Sequence, residues 1–185
     1  TALATPMKSD GTLDFSSLEN LIEYQISEGI NALVSVGTTG ESATLDVEEH
    51  LEIIKFFIKV SNGRIPIIAG TGANSTHEAI ILTHEAKKLG ADAALLVSPY
   101  YNKPTQEGLF LHFSEIAEKV DLPQIIYNVP SRTASNVDVS TVGRLCSHKN
   151  IIGIKDATGD MGVLENLQKE CKSEFDTGNF YLFSG

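Results

Sequence analysis

Short apolar runs alternate with longer segments of helical spacing along the whole sequence, and this alternation constrains the fold more than any other feature. The runs are near-continuous, as in parallel strands that are covered on both faces. The intervening segments carry apolar residues at helical spacing, as Leu109, Phe113 and Ile116 illustrate. The pattern therefore predicts βα units and a parallel sheet, with six helices between seven strands. The predicted strands are Ala2 to Thr5, Ala32 to Val36, Ile67 to Ala69, Ala93 to Ser98, Gln124 to Asn128, Ile151 to Asp156 and Phe180 to Ser184.

Successive units of similar length favour an α/β fold of the (β/α)8 TIM barrel type over a doubly wound open sheet. In a doubly wound sheet the strand order reverses, which often requires a longer connection, and no such connection interrupts this series. A complete barrel takes roughly 250 residues, whereas this chain has 185. We expect residues 1–185 to form a single barrel domain that is incomplete, truncated after strand 7 and without the C-terminal helices. Two unpaired strand edges would then make the piece unstable alone.

Composition excludes several classes of partner. A net charge of −10 with only 14 Lys and Arg argues against nucleic-acid binding, and no apolar run is long enough to span a membrane. Cys146 and Cys171 stand outside any CxxC spacing, which indicates neither a zinc site nor a disulfide framework. We expect a cytoplasmic protein with no metal and no cofactor. The segment THEAIILTHEA does not match the HExxH pattern, so His77 and His84 are expected on the surface.

Polar segments follow the predicted strands, at the end of a barrel where catalytic groups lie. They are GTTGES (37–42), GTGANS (70–75), SPYYNKP (98–104) and YNVPSRT (127–133). The two glycine-rich segments lack the lysine of a P-loop and the third glycine of a dinucleotide fingerprint. Recognition of a carboxylate by backbone N–H groups and by the hydroxyls of Thr38 and Thr39 remains open. The alternative is a hydroxyl-rich turn that caps the next helix.

Lys155 lies within the apolar run of IIGIKDATGD, where a charge is costly. An ordinary lysine, with a pKa of about 10.4, is neutral about 0.04% of the time at pH 7 and is a poor nucleophile. Burial would lower this pKa, and the guanidinium of Arg132 would lower it further. The alternative is a lysine that reaches solvent or pairs with Asp156.

The motifs GTTGES, PYYNKP, YNVPSRT and GIKDATG, in this order, closely resemble the dihydrodipicolinate synthase family of pyruvate-dependent class I aldolases, within the N-acetylneuraminate lyase superfamily. The resemblance covers almost the whole chain. It implies a lyase in which Lys155 forms a Schiff base with pyruvate. The resulting enamine would add to L-aspartate 4-semialdehyde and give 4-hydroxy-tetrahydrodipicolinate, in the diaminopimelate route of lysine biosynthesis.

The resemblance also implies roles for individual residues. Tyr127 would relay protons together with Thr38 and the partner subunit's Tyr101, so we expect a homo-oligomer, either a dimer or a tetramer. Thr39 would hold the pyruvate carboxylate, and Gly185 would lie beside the substrate. Arg132 would bind the carboxylate of the semialdehyde, which suits its planar charged fork.

Two other functions remain as alternatives. Sugar-acid aldolases such as sialic acid aldolase share the lysine and the tyrosine, but they commonly carry small or apolar residues where this chain has Arg132. A noncatalytic relative would more readily have lost Lys155 or Tyr127, and both are present.

L-lysine is a candidate effector, because many members of the family are inhibited at a site near the dimer interface. The matching residues are Ser42, Ala43, His50, Asn74, Glu78 and Tyr100. Glu78 has an alternative role as the capping partner of Ser75, and His50 has one as a plain helix-face residue. Val47 stands where some inhibited members carry a histidine, which argues against sensitivity to lysine.

Overall fold

A computed structural model describes residues 1–185, and it groups them into two compact units. The first unit comprises Thr1–Thr71 and His84–Leu95, and the second comprises Gly72–Thr83 and Leu96–Gly185. The fold is α/β, with six strands that follow chain order in the sheet. The strands are β1 (Leu33–Ser35), β2 (Ile67–Gly70), β3 (Ala93–Val97), β4 (Gln124–Asn128), β5 (Ile151–Asp156) and β6 (Tyr181–Ser184). The helices are α1 (Phe15–Ser27), α2 (Val47–Ser61), α3 (Thr76–Leu89), α4 (Gln106–Lys119), α5 (Pro130–Thr133), α6 (Val139–Leu145), α7 (Met161–Glu170) and α8 (Lys172–Asp176).

The first unit packs α1 and α2 on parallel strands. Leu33 of β1 pairs with Ile67 of β2, and Ile68 pairs with Ala93 at the start of β3. The apolar positions of α1 and α2 recur at helical spacing, so each helix buries one face. The resulting core consists of Leu3, Leu18, Ile22, Leu33, Val36, Ile53, Ile54, Phe57, Ile67, Ala69, Ala86 and Ala91.

Helix α2 shows why these segments begin and end where they do. The Asp46 side chain accepts a hydrogen bond from Glu49 N at 2.9 Å, and Asp46 N donates to Glu49 Oε2 at 3.3 Å. This reciprocal capping box pairs two backbone N–H groups at the start of the helix. The helix ends at Asn62, whose left-handed backbone (φ 48°) lets its N–H donate to the carbonyl of Ile58.

The second unit carries β4, β5 and β6 in parallel register. Every residue of β4 is buried, and β5 is buried at four of its six positions. Helix α4 turns Leu109, Phe113 and Ile116 inward, as the sequence pattern predicted. Tyr127 pairs with Lys155, and Lys155 pairs with Phe183, so the lysine occupies the middle strand of three.

The predicted strand over Ala2 to Thr5 is wrong. Only Ala2 forms an isolated parallel bridge, to Val34, and Leu3 N donates to the carbonyl of Val34 at 3.2 Å. Pro6 follows at once and has no N–H to extend the ladder. The sheet therefore has six strands and not seven, and the remaining six predicted strands are confirmed, with β4 and β5 at their predicted bounds.

The number of helices also differs from the prediction. Eight are present in place of six, because two short helices, α5 and α8, of four and five residues, are present in addition. None of the helices is both long enough and apolar enough to cross a membrane.

Candidate active site

Lys155 is the fifth of the six residues of β5, and its Nζ lies 4.4 Å from the centroid of the Tyr127 ring on β4. The two residues pair in register, so their side chains leave the sheet on the same face. Tyr127 is buried, and Lys155 is half-buried between Ile154 and Asp156 of its strand. The face of the Tyr127 ring thus makes a cation–π contact with the ammonium group of Lys155.

Burial lowers the pKa of Lys155 below its ordinary value. Desolvation disfavours the ammonium form and raises the fraction of free amine, which is the nucleophilic species. The expected further contribution from Arg132 is wrong, because burial is the sole cause of the lowered pKa. Arg132 is exposed on α5, where solvent screens its charge.

Asp156 does not pair with Lys155, so that alternative is also wrong. Successive residues of a strand point to opposite faces, and the Asp156 carboxylate accepts hydrogen bonds on the far side. Its donors are Asn128 Nδ2 at 3.0 Å, Thr158 N at 3.0 Å and Thr158 Oγ1. The carboxylate is thus satisfied without the lysine, whose amine is left to react.

Gly185 lies directly against Lys155. A Cβ at this position would be 2.9 Å from Lys155 Cε and 2.9 Å from Ala157 Cβ. Gly185 N also donates to the carbonyl of Asp156 at 2.8 Å, which continues the pairing of β6 with β5. The absence of a side chain at Gly185 therefore leaves room for the lysine stem.

Arg132 is placed by the loop that follows β4. Helix α5 has Pro130 at its first position, where a missing N–H costs nothing. Thr133 is buried, and its Oγ1 donates to the carbonyl of Ser135 at 2.8 Å. The helix ends at Ala134 in a left-handed conformation (φ 53°). This tight turn is fixed at its base, and it presents Arg132 to solvent.

Tyr101 is the most exposed large hydrophobic residue of the chain, at 90%, and its backbone is left-handed (φ 73°). The neighbouring Tyr100 lies within reach of two of the other residues expected to bind lysine. Asn74 Nδ2 donates to its carbonyl at 3.2 Å, and burial together with the Glu78 carboxylate raises the pKa of its phenol. The structure therefore brings Asn74, Glu78 and Tyr100 together.

Glu78 also makes the alternative contact that the sequence suggested. Its N–H donates to Ser75 Oγ at 3.4 Å, a long bond at the start of α3. His77 and His84 are exposed on the same helix, as predicted. No group of three or more His, Cys, Asp or Glu residues is arranged to hold a metal ion.

Thr38 and Thr39 lie in the first unit, in a 3₁₀ turn (Thr38–Gly40) that follows β1. Both are exposed, whereas Gly40 is buried and its carbonyl accepts a hydrogen bond from Thr5 Oγ1 at 2.7 Å. The turn is therefore anchored at its last residue, and the two threonines project from an anchored backbone.

The three remaining residues expected to bind lysine also lie in the first unit. Ser42 and Ala43 belong to a second 3₁₀ turn, Ser42–Thr44. His50 is buried, and its Nε2 lies 2.7 Å from the carbonyl of Gly70. It is therefore not a plain helix-face residue, because its imidazole joins α2 to the end of β2.

The sequence did not reveal the importance of Asn128. It is 1% exposed at the end of β4, after Ile125, Ile126 and Tyr127. A polar side chain at the end of a predicted buried strand could have indicated it, because a buried polar residue requires hydrogen-bond partners. One partner, Asp156, lies on β5, and the other two, Asn136 and Val137, come from a loop whose shape the sequence does not predict.

The fold and the site together define a class: a parallel α/β protein with a half-buried, unpaired lysine near the carboxyl end of a strand and a tyrosine ring against it. The model of the dihydrodipicolinate synthetase family matches residues 1–185. The chain belongs to this family.

Similar proteins agree with this assignment. The 4-hydroxy-tetrahydrodipicolinate synthase of Pseudomonas savastanoi pv. phaseolicola is 59% identical over 174 residues, which cover 94% of this chain and 60% of that protein. The chloride-inhibited dihydrodipicolinate synthase of Acinetobacter baumannii, solved with pyruvate, is 56% identical with a TM-score of 0.95, over 100% of this chain and 62% of that one. The enzyme of Cyanidioschyzon merolae, solved with lysine bound, is 38% identical with a TM-score of 0.93, over 100% and 61%. The chain thus spans about 60% of the length of the curated relatives it matches.

Proposed function

We propose that this chain is part of a lyase that condenses pyruvate with L-aspartate 4-semialdehyde to give 4-hydroxy-tetrahydrodipicolinate, in the diaminopimelate route of lysine biosynthesis. The observation that carries the proposal is Lys155, a half-buried lysine with a lowered pKa and no ion pair, held over the ring of Tyr127. These are the properties of a lysine nucleophile that forms Schiff bases. Family membership supports the substrate assignment.

The reaction begins when the free amine of Lys155 attacks the ketone carbon of pyruvate. Loss of water from the carbinolamine gives the Schiff base, and loss of a methyl proton gives an enamine. The enamine carbon adds to the aldehyde carbon of the semialdehyde and forms the new carbon–carbon bond. The amino group of the second substrate then attacks the Schiff-base carbon, which closes the ring and releases Lys155.

Each proton in this sequence needs a carrier, and Tyr127 is the carrier we propose. It is the buried hydroxyl-bearing side chain in contact with Lys155. Thr38 and the partner subunit's Tyr101 would complete the relay. The 90% exposure of Tyr101 and its strained left-handed backbone support a role outside its own subunit. The assembly proposed is therefore a homo-oligomer, a dimer or a tetramer.

The two substrate carboxylates would be bound separately. Thr39 would hold the carboxylate of pyruvate, supported by its exposure on an anchored turn. Arg132 would hold that of the semialdehyde, supported by an exposed guanidinium on a tightly fixed loop. Gly185 would leave space for the substrate next to Lys155.

The finer architecture proposed is a (β/α)8 barrel, of which residues 1–185 form one part. Six strands in chain order, parallel wherever their register is resolved, support it. So does the agreement with the A. baumannii structure over the full length of this chain.

L-lysine is proposed as an effector, with Asn74, Glu78 and Tyr100 as the residues that contact it. The support is the hydrogen bond from Asn74 to the carbonyl of Tyr100, the effect of the Glu78 carboxylate in raising the pKa of the Tyr100 phenol, and the lysine-bound structure of the C. merolae enzyme. Calorimetric titration of the full-length protein with L-lysine tests this, since Glu78→Ala should abolish the heat of binding. Unchanged binding in that variant would refute the site.

The acceptor substrate decides between the proposed function and a sugar-acid aldolase. The full-length protein should convert pyruvate and L-aspartate 4-semialdehyde to product, as followed by NMR, and should be inactive with N-acetylmannosamine. Arg132→Ala should raise KM for the semialdehyde, because the variant lacks the charged fork. Comparable kcat/KM for N-acetylmannosamine would contradict the proposal.

A further inference from the structure

The loop between β4 and α6, residues 129–138, carries Arg132 on its exposed part, and we call it the Arg132 loop. The base of the loop is built from polar side chains whose donors and acceptors are almost all used in hydrogen bonds. Thr133 and Ser135 are buried there and bond to each other, since Ser135 N donates to Thr133 Oγ1 at 3.2 Å. The loop therefore has a fixed base and an exposed tip.

Asn128, the last residue of β4, is the centre of this base. Its Nδ2 donates to Asn136 Oδ1 at 3.1 Å and to Asp156 Oδ2 at 3.0 Å. Its Oδ1 accepts from Val137 N at 3.0 Å. Both amide protons and the carbonyl oxygen are thus used, in a side chain that is 1% exposed.

These bonds join two parts of the candidate site. Asn136 and Val137 belong to the Arg132 loop, whereas Asp156 directly follows Lys155 on β5. Asn128 and Asp156 also pair in register, and Asn128 O accepts from Ala157 N at 2.9 Å. The amide is therefore the direct link between the lysine strand and the loop that carries the arginine.

We propose that Asn128 is a positioning residue that fixes the Arg132 guanidinium at a set distance from the Lys155 amine. The inference rests on the proposed function of Arg132 as the group that binds the semialdehyde. Asn128 would thereby couple the binding of pyruvate at Lys155 to the binding of the semialdehyde at Arg132, although it touches neither substrate. Small displacements of a positioned group cost about 10²-fold in rate when the geometry of attack depends on it.

An amide is the side chain that this position requires. A carboxylate would face the Asp156 carboxylate and would have no proton to donate, so the two like charges would repel. Alanine would leave Asp156 and Val137 N each short of one partner. The far end of the loop is held separately, since Gln106 Nε2 donates to the carbonyl of Asn136 at 2.8 Å and Gln106 Oε1 accepts from Thr141 Oγ1 at 2.6 Å. Loss of Asn128 should therefore shift the loop without unfolding it.

The experiment uses the full-length protein and measures the two substrates separately. Asn128→Ala should raise KM for L-aspartate 4-semialdehyde about tenfold or more. KM for pyruvate and the yield of the borohydride-reduced pyruvate adduct should stay within about twofold, because Lys155 keeps its strand and its contact with Tyr127. Asn128→Asp should have a larger effect, and Asn128→Asp combined with Asp156→Asn should recover most of the loss, since an amide again faces a carboxylate.

Asn150→Ala is the matched control. Asn150 is also a buried asparagine, and its Nδ2 donates to the carbonyl of Ala117 at 2.9 Å, but it precedes β5 at the opposite end from Lys155. This variant should lose stability without a selective rise in KM for the semialdehyde. An equal rise in Asn150→Ala would overturn the proposal.

A double-mutant cycle gives the decisive result. In the Arg132→Ala background, Asn128→Ala should change kcat/KM for the semialdehyde by less than about twofold, because its effect passes through the arginine. Additive effects would overturn the inference. Failure of the wild type to form a pyruvate adduct is a separate result, which would refute the proposed function itself.

Discussion

Lys155 Nζ lies 4.4 Å from the centroid of the Tyr127 ring, and the two residues pair in register on adjacent strands. Strand pairing thus fixes the separation of the proposed nucleophile and the proposed proton carrier. The two side chains share one face, while Asn128 and Asp156, one position along, bond to each other on the other face. The register of β4 with β5 therefore places both the Tyr127–Lys155 pair and the Asn128–Asp156 pair.

Tyr127→Phe tests the role of the Tyr127 hydroxyl separately from that of its ring. The ring contact with Lys155 and the packing of β4 should persist, because only the oxygen is removed. Proton transfer should become slow, so kcat should fall by about 10²–10³ while KM for pyruvate changes little. Steady-state kinetics check this, with adduct trapping to show that Schiff-base formation still occurs. Wild-type kcat in this variant would exclude Tyr127 as the proton carrier.

Lys155 should destabilise the fold, as functional residues often do. Its folded pKa is lowered below the 10.5 of the free side chain, so the unfolded chain binds more protons between the two pKa values. The free energy of unfolding should therefore rise with pH between the folded and the unfolded pKa of Lys155. Below the folded pKa it should be lower by a constant amount. Lys155→Met should remove the penalty and raise Tm at pH 7. Calorimetry should show no such rise for the exposed Lys169→Met, and a lower Tm for Lys155→Met would contradict the account.

Gly185→Ala tests whether free space beside the lysine matters. The new Cβ would be 2.9 Å from Lys155 Cε, which is closer than carbon atoms approach without displacement. The lysine stem should move, and the rate of adduct formation with pyruvate should fall by about tenfold or more. Gly108→Ala is the control, since its nearest neighbour is a side-chain carbon of Pro104 at 3.3 Å. Equal rates in the wild type and Gly185→Ala would show that the space is not needed.

Asp46→Ala removes the bond that Glu49 N donates to the Asp46 carboxylate at the start of α2, whereas the bond from the backbone N–H of residue 46 to Glu49 Oε2 does not need the side chain. The free energy of unfolding should fall by about 1 kcal/mol, as measured by urea denaturation. Adduct formation with pyruvate should be unchanged, because the cap is a local feature of one helix. A loss below about 0.3 kcal/mol would mean that the cap contributes little to stability.

The sequence predicted the strands that have an apolar run within them. β4 and β5 have their predicted bounds, and each contains consecutive apolar residues of the kind that specify a buried parallel strand. The run at Ala2 predicts a strand equally well, but it forms only one isolated bridge, between Ala2 and Val34.

The candidate site was predictable in its reactive residues and not in its supporting ones. Lys155 and Tyr127 were identified through motifs at strand ends, and the structure places them in contact. Two of the three bonds of the Asn128 amide go to a loop whose turns depend on Thr133 and Ala134 in particular conformations. A single sequence contains no periodic pattern from which such a loop can be read.

Borohydride reduction in the presence of pyruvate, followed by peptide mass analysis, tests the central claim most directly. The full-length wild-type protein should carry one reduced pyruvate adduct, on the peptide that contains Lys155. Lys155→Ala should carry none, and Lys169→Ala should match the wild type. An adduct that persists in Lys155→Ala, or that is absent from the wild type, would contradict the assignment of Lys155 as the Schiff-base lysine.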